Sequence, residues 1–142
     1  NRAKRDDKYF TLLIMDIDYF KQYNDTYGHQ KGDIALEQVA SVLKSFTNRV
    51  SDFAFRLGGE EFGIITALDK DKALDFANTI KEKIEDLQIE HSASEVSSYI
   101  TISIGISSRK GFDITNSDAM YKEADDALYD AKNLGRNCIF MQ

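Results

Sequence analysis

The sequence predicts an α/β (α+β) sandwich: a central mixed sheet of about five strands flanked by helices. Three observations point there. A nearly continuous apolar run, Phe10 to Met15, has the character of a strand buried on both faces. Ile100, Ile102, Ile104 and Ile106 alternate strictly with Thr101, Ser103 and Gly105, the pattern of a half-buried strand. Three further stretches carry apolar residues at helical spacing.

The first strand, Tyr9 to Asp16, ends in an acid. A Gly-rich connection follows, and Asp33 stands at an N-cap position ahead of Leu36, Val39, Ala40, Leu43 and Phe46, which mark an amphipathic helix. Phe53 to Leu57 and Phe62 to Thr66 flank Gly58-Gly59. This predicts a tight hairpin, whose two central residues both need positive φ. From Asp69 to Leu87, the set Ala73, Phe76, Ala77, Ile80, Ile84 and Leu87 predicts a second long helix with Lys and Glu on its opposite face. Glu90 to Ser98 is polar and without periodicity. After the Ile-rich strand, a third helix is expected from Ser117 to Leu134, with Met120, Ala124, Ala127, Leu128 and Ala131 inward and Gly135 as its left-handed stop. Cys138 to Met141 then completes the sheet. This order mixes parallel crossovers with one antiparallel hairpin and has no internal repeat, which predicts a ferredoxin-like or polymerase-palm-like arrangement.

The length, 142 residues, is that of one compact domain, 1–142, able to bury a core without staples. An apolar share of 42% and a charged share of 30% are ordinary for a globular chain, and the lack of Pro and Trp leaves no evident linker. The longest purely apolar stretch, Leu12 to Met15, is far too short to span a bilayer, and no signal peptide opens the sequence. No membrane contact by this domain is expected. The lone Cys138 cannot form an internal disulfide; it is expected to be a buried apolar residue in a reducing, cytoplasmic setting. With 18 basic against 24 acidic side chains the net charge is -6, which argues against a nucleic-acid polymer as partner. A single nucleotide needs only a few placed cations, and excess carboxylates suit recruitment of a divalent metal.

Asp16 and Asp18 stand at i and i+2, so continued extended geometry would bring both carboxylates to one side as a candidate metal edge. Glu60 and Glu61 follow the Gly-Gly turn directly. If that hairpin pairs beside the first strand, acids from two elements converge at one end of the sheet. Hard oxygen ligands of this kind suit Mg²⁺, which takes one or two protein carboxylates and completes its shell with water and substrate phosphates.

Gly58-Gly59-Glu60-Glu61-Phe62 resembles the signature pentapeptide of the GGDEF family, in its Glu-for-Asp form, and Arg56 precedes it as in many members. The resemblance continues through Asp16-Ile17-Asp18-Tyr19-Phe20-Lys21, Asn24-Asp25, Gly28-His29 and Gly32-Asp33. It closes with Ala124-Asp125-Asp126-Ala127-Leu128-Tyr129 and Lys132-Asn133-Leu134-Gly135-Arg136-Asn137. Ordered matches cover nearly the whole chain.

The resemblance implies a diguanylate cyclase domain that condenses two GTP molecules into cyclic di-GMP across a homodimer. It implies that Asp16, Glu60 and the backbone carbonyl of Ile17 ligate two Mg²⁺ or Mn²⁺ ions, that Glu60 helps deprotonate the attacking 3′-hydroxyl, and that Glu61 is a supporting acid. Asn24 and Asp33 match the pair that reads the guanine edge; as local features alone they would be a helix-ending residue and an N-cap. His29 matches a position near the base or ribose, and Gly58 and Gly59 belong to the substrate loop. Lys21, Lys132 and Arg136 match cations on the triphosphate; the plainer role for Lys132 and Arg136 is pairing with the C-terminal end of the last helix. Arg49-Val50-Ser51-Asp52 matches the family's inhibitory Arg-x-x-Asp site for product, with no second arginine assigned. Asn1-Arg2 match the end of the family's opening segment, which implies a piece excised from a longer protein with an N-terminal sensory or receiver region. An alternative within the resemblance is a catalytically weak module that binds GTP or cyclic di-GMP.

Overall fold

The structure is a computed structural model and describes residues 8–111 and 114–142; Asn1 and Arg2 lie outside them. In chain order the elements are β1 (Tyr9–Ile17), α1 (Phe20–Tyr27), α2 (His29–Phe46), β2 (Phe53–Gly58), β3 (Glu61–Thr66), α3 (Lys70–Asp86), β4 (Ile102–Lys110), α4 (Ser117–Asn133) and β5 (Ile139–Met141). The strands form one mixed sheet in the order β2-β3-β1-β4-β5. β1, apolar along its length, takes the centre and pairs antiparallel with both β3 and β4. Only β4 and β5 run parallel, so the sheet has one parallel pair where the sequence order suggested several.

Helices cover both faces. Leu13, Met15 and Ile17 of β1 join Ile102, Ile104 and Ile106 of β4 against Val39 and Leu43 of α2 and Ala77, Ile80 and Ile84 of α3. On the opposite face Leu12 and Ile14 meet Met120, Ala124 and Leu128 of α4. The alternation in β4 therefore does not mark a solvated face: Thr101, Ser103 and Gly105 are buried as fully as the isoleucines. α4 rides directly on Gly105. A Cβ there would lie 2.2 Å from the Ala124 carbonyl oxygen and 2.2 Å from the Leu128 nitrogen.

Local expectations shift in four places. The Gly-rich connection after β1 contains α1, an extra helix of 8 residues. Because α2 starts at His29 behind Gly28, Asp33 sits inside that helix on its exposed side and caps nothing. In the hairpin the register slips between Arg56 and Gly58, so Gly58 still pairs with Glu61 and the turn is Gly59-Glu60 rather than Gly58-Gly59. Gly58 and Gly59 keep the positive φ values expected of them, 151° and 52°. Cys138 is half-buried, its thiol donating to the Ala131 carbonyl at 3.2 Å. Elsewhere the reading holds: α4 ends at Leu134 with the Gly135 and Arg136 amides returning to the Lys132 and Ala131 carbonyls, the hydrogen bonds of a Schellman stop. No helix among the described residues is long and apolar enough to cross a membrane.

Since backbone atoms of α4 cannot yield as a side chain can, Gly105→Ala is expected to destabilise the domain by about 2 kcal/mol or more. Urea denaturation of the variant beside the parent measures it.

Candidate active site

The register of β1 against β3 sets Asp16 directly opposite Glu61, with Glu60 next to it in the turn. The Ile17 amide donates to the Glu60 carbonyl at 3.3 Å, which ties the turn to the end of β1. Three acids thus gather at one edge of the sheet. Asp16 is 7% exposed, and burial pushes its carboxyl up from 3.8 to about 6. Lys132 Nζ, 2.5 Å from Asp16 Oδ2, pulls in the other direction but does not offset that burial and the nearby Glu60 and Glu61. Glu61 is also pushed up, first by burial and then by Asp125. Asp16 Oδ1 is buried with no hydrogen-bond partner.

Asp18 does not join this edge. β1 stops at Ile17 and Tyr19 turns left-handed (φ 55°), so the extended i, i+2 geometry is lost. Its fully buried carboxylate instead accepts from Ser103 Oγ at 2.6 Å, Thr101 Oγ1 at 2.7 Å and the Asn137 amide at 2.9 Å. Asp18 is a structural knot joining β1, β4 and the loop after α4.

Beside the acidic edge lies an open cavity of about 400 Å³, lined by Lys21, Asn24, His29, Asp33, Arg56, Gly59 and Glu60 over an apolar floor of Phe20 and Leu36. α1 supplies Lys21 and Asn24, and α2 supplies His29 and Asp33. The helices meet closely because Gly32 is buried against Asn24: a Cβ on Gly32 would fall 1.8 Å from Asn24 Oδ1. That amide oxygen is buried and unpartnered. Arg56 closes the cavity by donating from Nε and Nη2 to the Gly59 carbonyl at 2.9 and 2.6 Å. Lys21 is exposed, 4.0 Å from Asp25. Arg136 lies by the start of α1, its guanidinium carbon 4.6 Å from the centre of the Tyr19 ring. Neither Lys132 nor Arg136 is spent on the C-terminal carbonyls of α4.

A family model described as "Diguanylate cyclase, GGDEF domain" matches residues 1–138. The chain belongs to the GGDEF family. Among curated GGDEF relatives it is 42% identical over 130 residues to diguanylate cyclase A of Treponema denticola, covering 91% of this chain and 34% of that protein. It is 41% identical over 133 residues to diguanylate cyclase DgcM of Escherichia coli, covering 92% of this chain and 30% of that one. The chain thus spans about a third of these relatives' length. Among solved structures, the GGDEF domain of DgcB from Caulobacter crescentus in complex with c-di-GMP superposes with a TM-score of 0.84 at 32% identity, covering 98% of this chain and 82% of that one. The active GGEEF domain of a diguanylate cyclase from Vibrio cholerae gives 0.77 at 34% identity, covering 99% and 86%.

In this GGDEF domain the Arg-x-x-Asp pair stands apart from the acidic edge. Asp52 accepts from Thr66 Oγ1 at 2.8 Å, and Thr66 and Glu61 are at opposite ends of β3, about 17 Å apart by strand rise. The Asp52 side chain is fully enclosed and also accepts from the Arg49 amide at 3.1 Å and Arg49 Nε at 3.2 Å. Arg49 keeps 49% of its side chain exposed and lies over the Phe76 ring at 5.2 Å. Sequence reasoning named Arg56 and Gly32 only as motif positions, without the clamp or the α1–α2 contact they make, and passed over His91. A glycine inside an otherwise strong helical pattern was the available signal for Gly32.

Removing the Asp18 carboxylate strands the buried Thr101 and Ser103 hydroxyls and the half-buried Asn137 amide. Asp18→Ala is expected to cost about 3 kcal/mol or more of folding stability, read from urea denaturation, whereas Asp25→Ala, on an exposed pair, should cost less than about 1 kcal/mol.

Proposed function

We propose that this GGDEF domain is a diguanylate cyclase that joins two GTP molecules into cyclic di-GMP with release of two pyrophosphates. The observation that carries it is the acidic edge of Asp16, Glu60 and Glu61 standing beside a cavity of nucleotide dimensions lined by Asn24 and Asp33. In support, relatives over nearly the whole chain are named diguanylate cyclases, and the DgcB domain it resembles is in complex with c-di-GMP.

The donor set fits a divalent cation. Asp16 Oδ1 is an orphaned acceptor, and the Asp16 and Glu61 carboxyls are both pushed up, first by burial and then by neighbouring acids that Lys132 only partly offsets. Oxygen donors of this kind suit Mg²⁺ or Mn²⁺, which take few protein oxygens and complete their shell from water and substrate. Asp16, Glu60 and the Ile17 carbonyl would hold two such ions. Bound there, they supply Lewis-acid stabilisation of charge on the reacting phosphate oxygens.

The chain's own groups then divide the work. Asp33 offers an exposed carboxylate to guanine N1–H and N2–H₂, and the Asn24 amide meets the remaining base edge. His29 borders the same pocket near base or ribose. Lys21, Lys132 and Arg136 balance the triphosphate, with Gly58 and Gly59 allowing close backbone approach. Glu60 accepts the proton of the 3′-hydroxyl as its oxygen attacks the α-phosphorus of the second GTP; the bond to pyrophosphate breaks in line, and Glu61 supports Glu60. One domain holds one nucleotide, so two copies must face each other as a homodimer for the reciprocal bond to form. Product would inhibit by docking on Arg49, whose guanidinium is reachable while Asp52 orients it.

Incubating the concentrated protein with GTP and Mg²⁺ and separating nucleotides by chromatography tests this reading. Cyclic di-GMP should appear, fall about a hundredfold or more in Asp16→Asn and Glu60→Gln, vanish with a chelator, and be suppressed by added product in the parent but not in Arg49→Ala. A GTP-binding protein that yields no cyclic di-GMP at any concentration would instead be a binding module. The guanine pocket has a separate check. Gly32→Ala should leave Tm within about 5 °C because the displaced atom is the end of a side chain, yet weaken a non-hydrolysable GTP analogue about tenfold in calorimetry by evicting Asn24.

A further inference from the structure

We propose that Tyr19 is a positioning residue that presents the Arg136 guanidinium to the polyphosphate of the bound nucleotide, and that His91 holds Tyr19 in place for it. This rests on the reading above in which Arg136 meets the triphosphate. Tyr19 follows the strand that carries Asp16 and occupies the N-cap of α1 in a left-handed conformation, φ 55° and ψ 37°, without making a side-chain cap. A tyrosine rarely adopts that region unless its surroundings over-determine it. Two contacts do so here. His91 Nε2 lies 2.9 Å from the Tyr19 carbonyl oxygen, which can only accept, so Nε2 carries the proton. The Tyr19 ring lies under the Arg136 guanidinium at 4.6 Å.

His91 is an anchored partner. It is fully buried in the polar segment 90–99, which is pinned by a bridge between Glu90 and Tyr99 and by the His91 amide donating to the Ser98 carbonyl at 2.8 Å. Its ring stands edge-on to Tyr23, centroids 5.2 Å apart, on the inner face of α1. The same segment is tied to α1 again where the Ser92 amide donates to the Tyr27 hydroxyl at 2.8 Å. The segment continues through Thr101, whose carbonyl accepts from the Asp18 amide at 2.9 Å, into β4 beside Asp16, and the His91 contact with Tyr19 is a second tie to the same end of β1.

Stacking suits an arginine that must still bind. A ring that meets the guanidinium through its π face makes no demand on the N–H groups, which can still donate to phosphate oxygens. Arg136 makes no ion pair among the described residues, and its backbone is left-handed, φ 65°, next to Asn137, which Asp18 holds by its amide. The head group is therefore confined by Tyr19 while its hydrogen-bonding edge stays available, which lowers the ordering cost when an anion arrives.

Calorimetry with Mg²⁺ and two probes tests the assignment: a GTP analogue bearing a methylene between the α and β phosphates, and guanosine. Arg136→Ala should weaken the analogue about tenfold and leave guanosine unchanged. Tyr19→Leu should weaken the analogue about two- to fivefold, again sparing guanosine, and should add nothing in the Arg136→Ala background. Tyr19→Phe, which keeps the ring face, should restore the affinity. His91→Phe should reproduce part of the Tyr19→Leu loss, and His91→Gln, which returns an N–H donor, should recover it. Equal losses for guanosine and the analogue in Tyr19→Leu, or losses that add to those of Arg136→Ala, would overturn the positioning role. If Arg136→Ala itself has no effect on the analogue, the phosphate contact fails instead.

Discussion

The rest of the structure is arranged around a carboxylate that the fold buries beside two other acids and compensates only in part. Antiparallel pairing of β1 with β3 brings Asp16 and Glu61 directly opposite each other, a juxtaposition of like charges that a sheet ordinarily avoids. Asp16 is buried as well, and its carboxyl is pushed up to about 6, so keeping it ionised at neutral pH costs the fold on the order of 3 kcal/mol. Lys132 relieves part of this through one oxygen and leaves the other bare. Folding alone gives no reason to keep that arrangement. A site that takes up positive charge from outside does, and the family to which the chain belongs supplies the chemical context.

Asp18 shows what the same residue type looks like when the fold uses it for itself. It stands two residues from Asp16 and is more deeply buried, yet both its oxygens are satisfied by hydroxyls and an amide from β4 and the loop after α4. That loop begins just past Lys132 and carries Arg136. By holding Asn137, the knot fixes the basic groups in space relative to the acidic edge although more than a hundred residues separate them in sequence (|i−j| of 116 for Asp16 and Lys132). Stability and charge placement are thus parts of one arrangement at the end of β1.

Most of the scaffold was legible in the sequence because burial leaves a period. The apolar run of β1, the isoleucine alternation of β4 and the helical spacing in α2, α3 and α4 all report which face meets the core. What was not legible depended on contacts distant in sequence or on competition between near-equal local choices. Gly58 and Gly59 are both permissive, so composition could not tell which of them would begin the turn; the Arg56 clamp on the Gly59 carbonyl accompanies a register one residue later. Asp33 has the chemistry of an N-cap, but Gly28 opens the helix a turn sooner and turns Asp33 toward the pocket instead. The solvated face predicted for β4 disappears because a small residue, Gly105, lets α4 settle onto it. Of the candidate residues, Asn24, Asp33, His29, Lys21 and Glu60 do share one cavity, while the Lys132 contact to Asp16 and the burial of His91 have no local signature at all.

The two ends of β3 put limits on how any second site could speak to the first. Thr66 at one end donates to Asp52, and Glu61 at the other faces Asp16. The strand between them is locked by pairing on both sides, with Phe62 and Ile64 buried in the core. A strand paired on both sides and packed into the core has little room to shift along its length. On the proposed reading, in which two copies must face each other, a ligand on Arg49 would act by holding domains in an orientation that keeps their acidic edges apart, with no change needed inside either one.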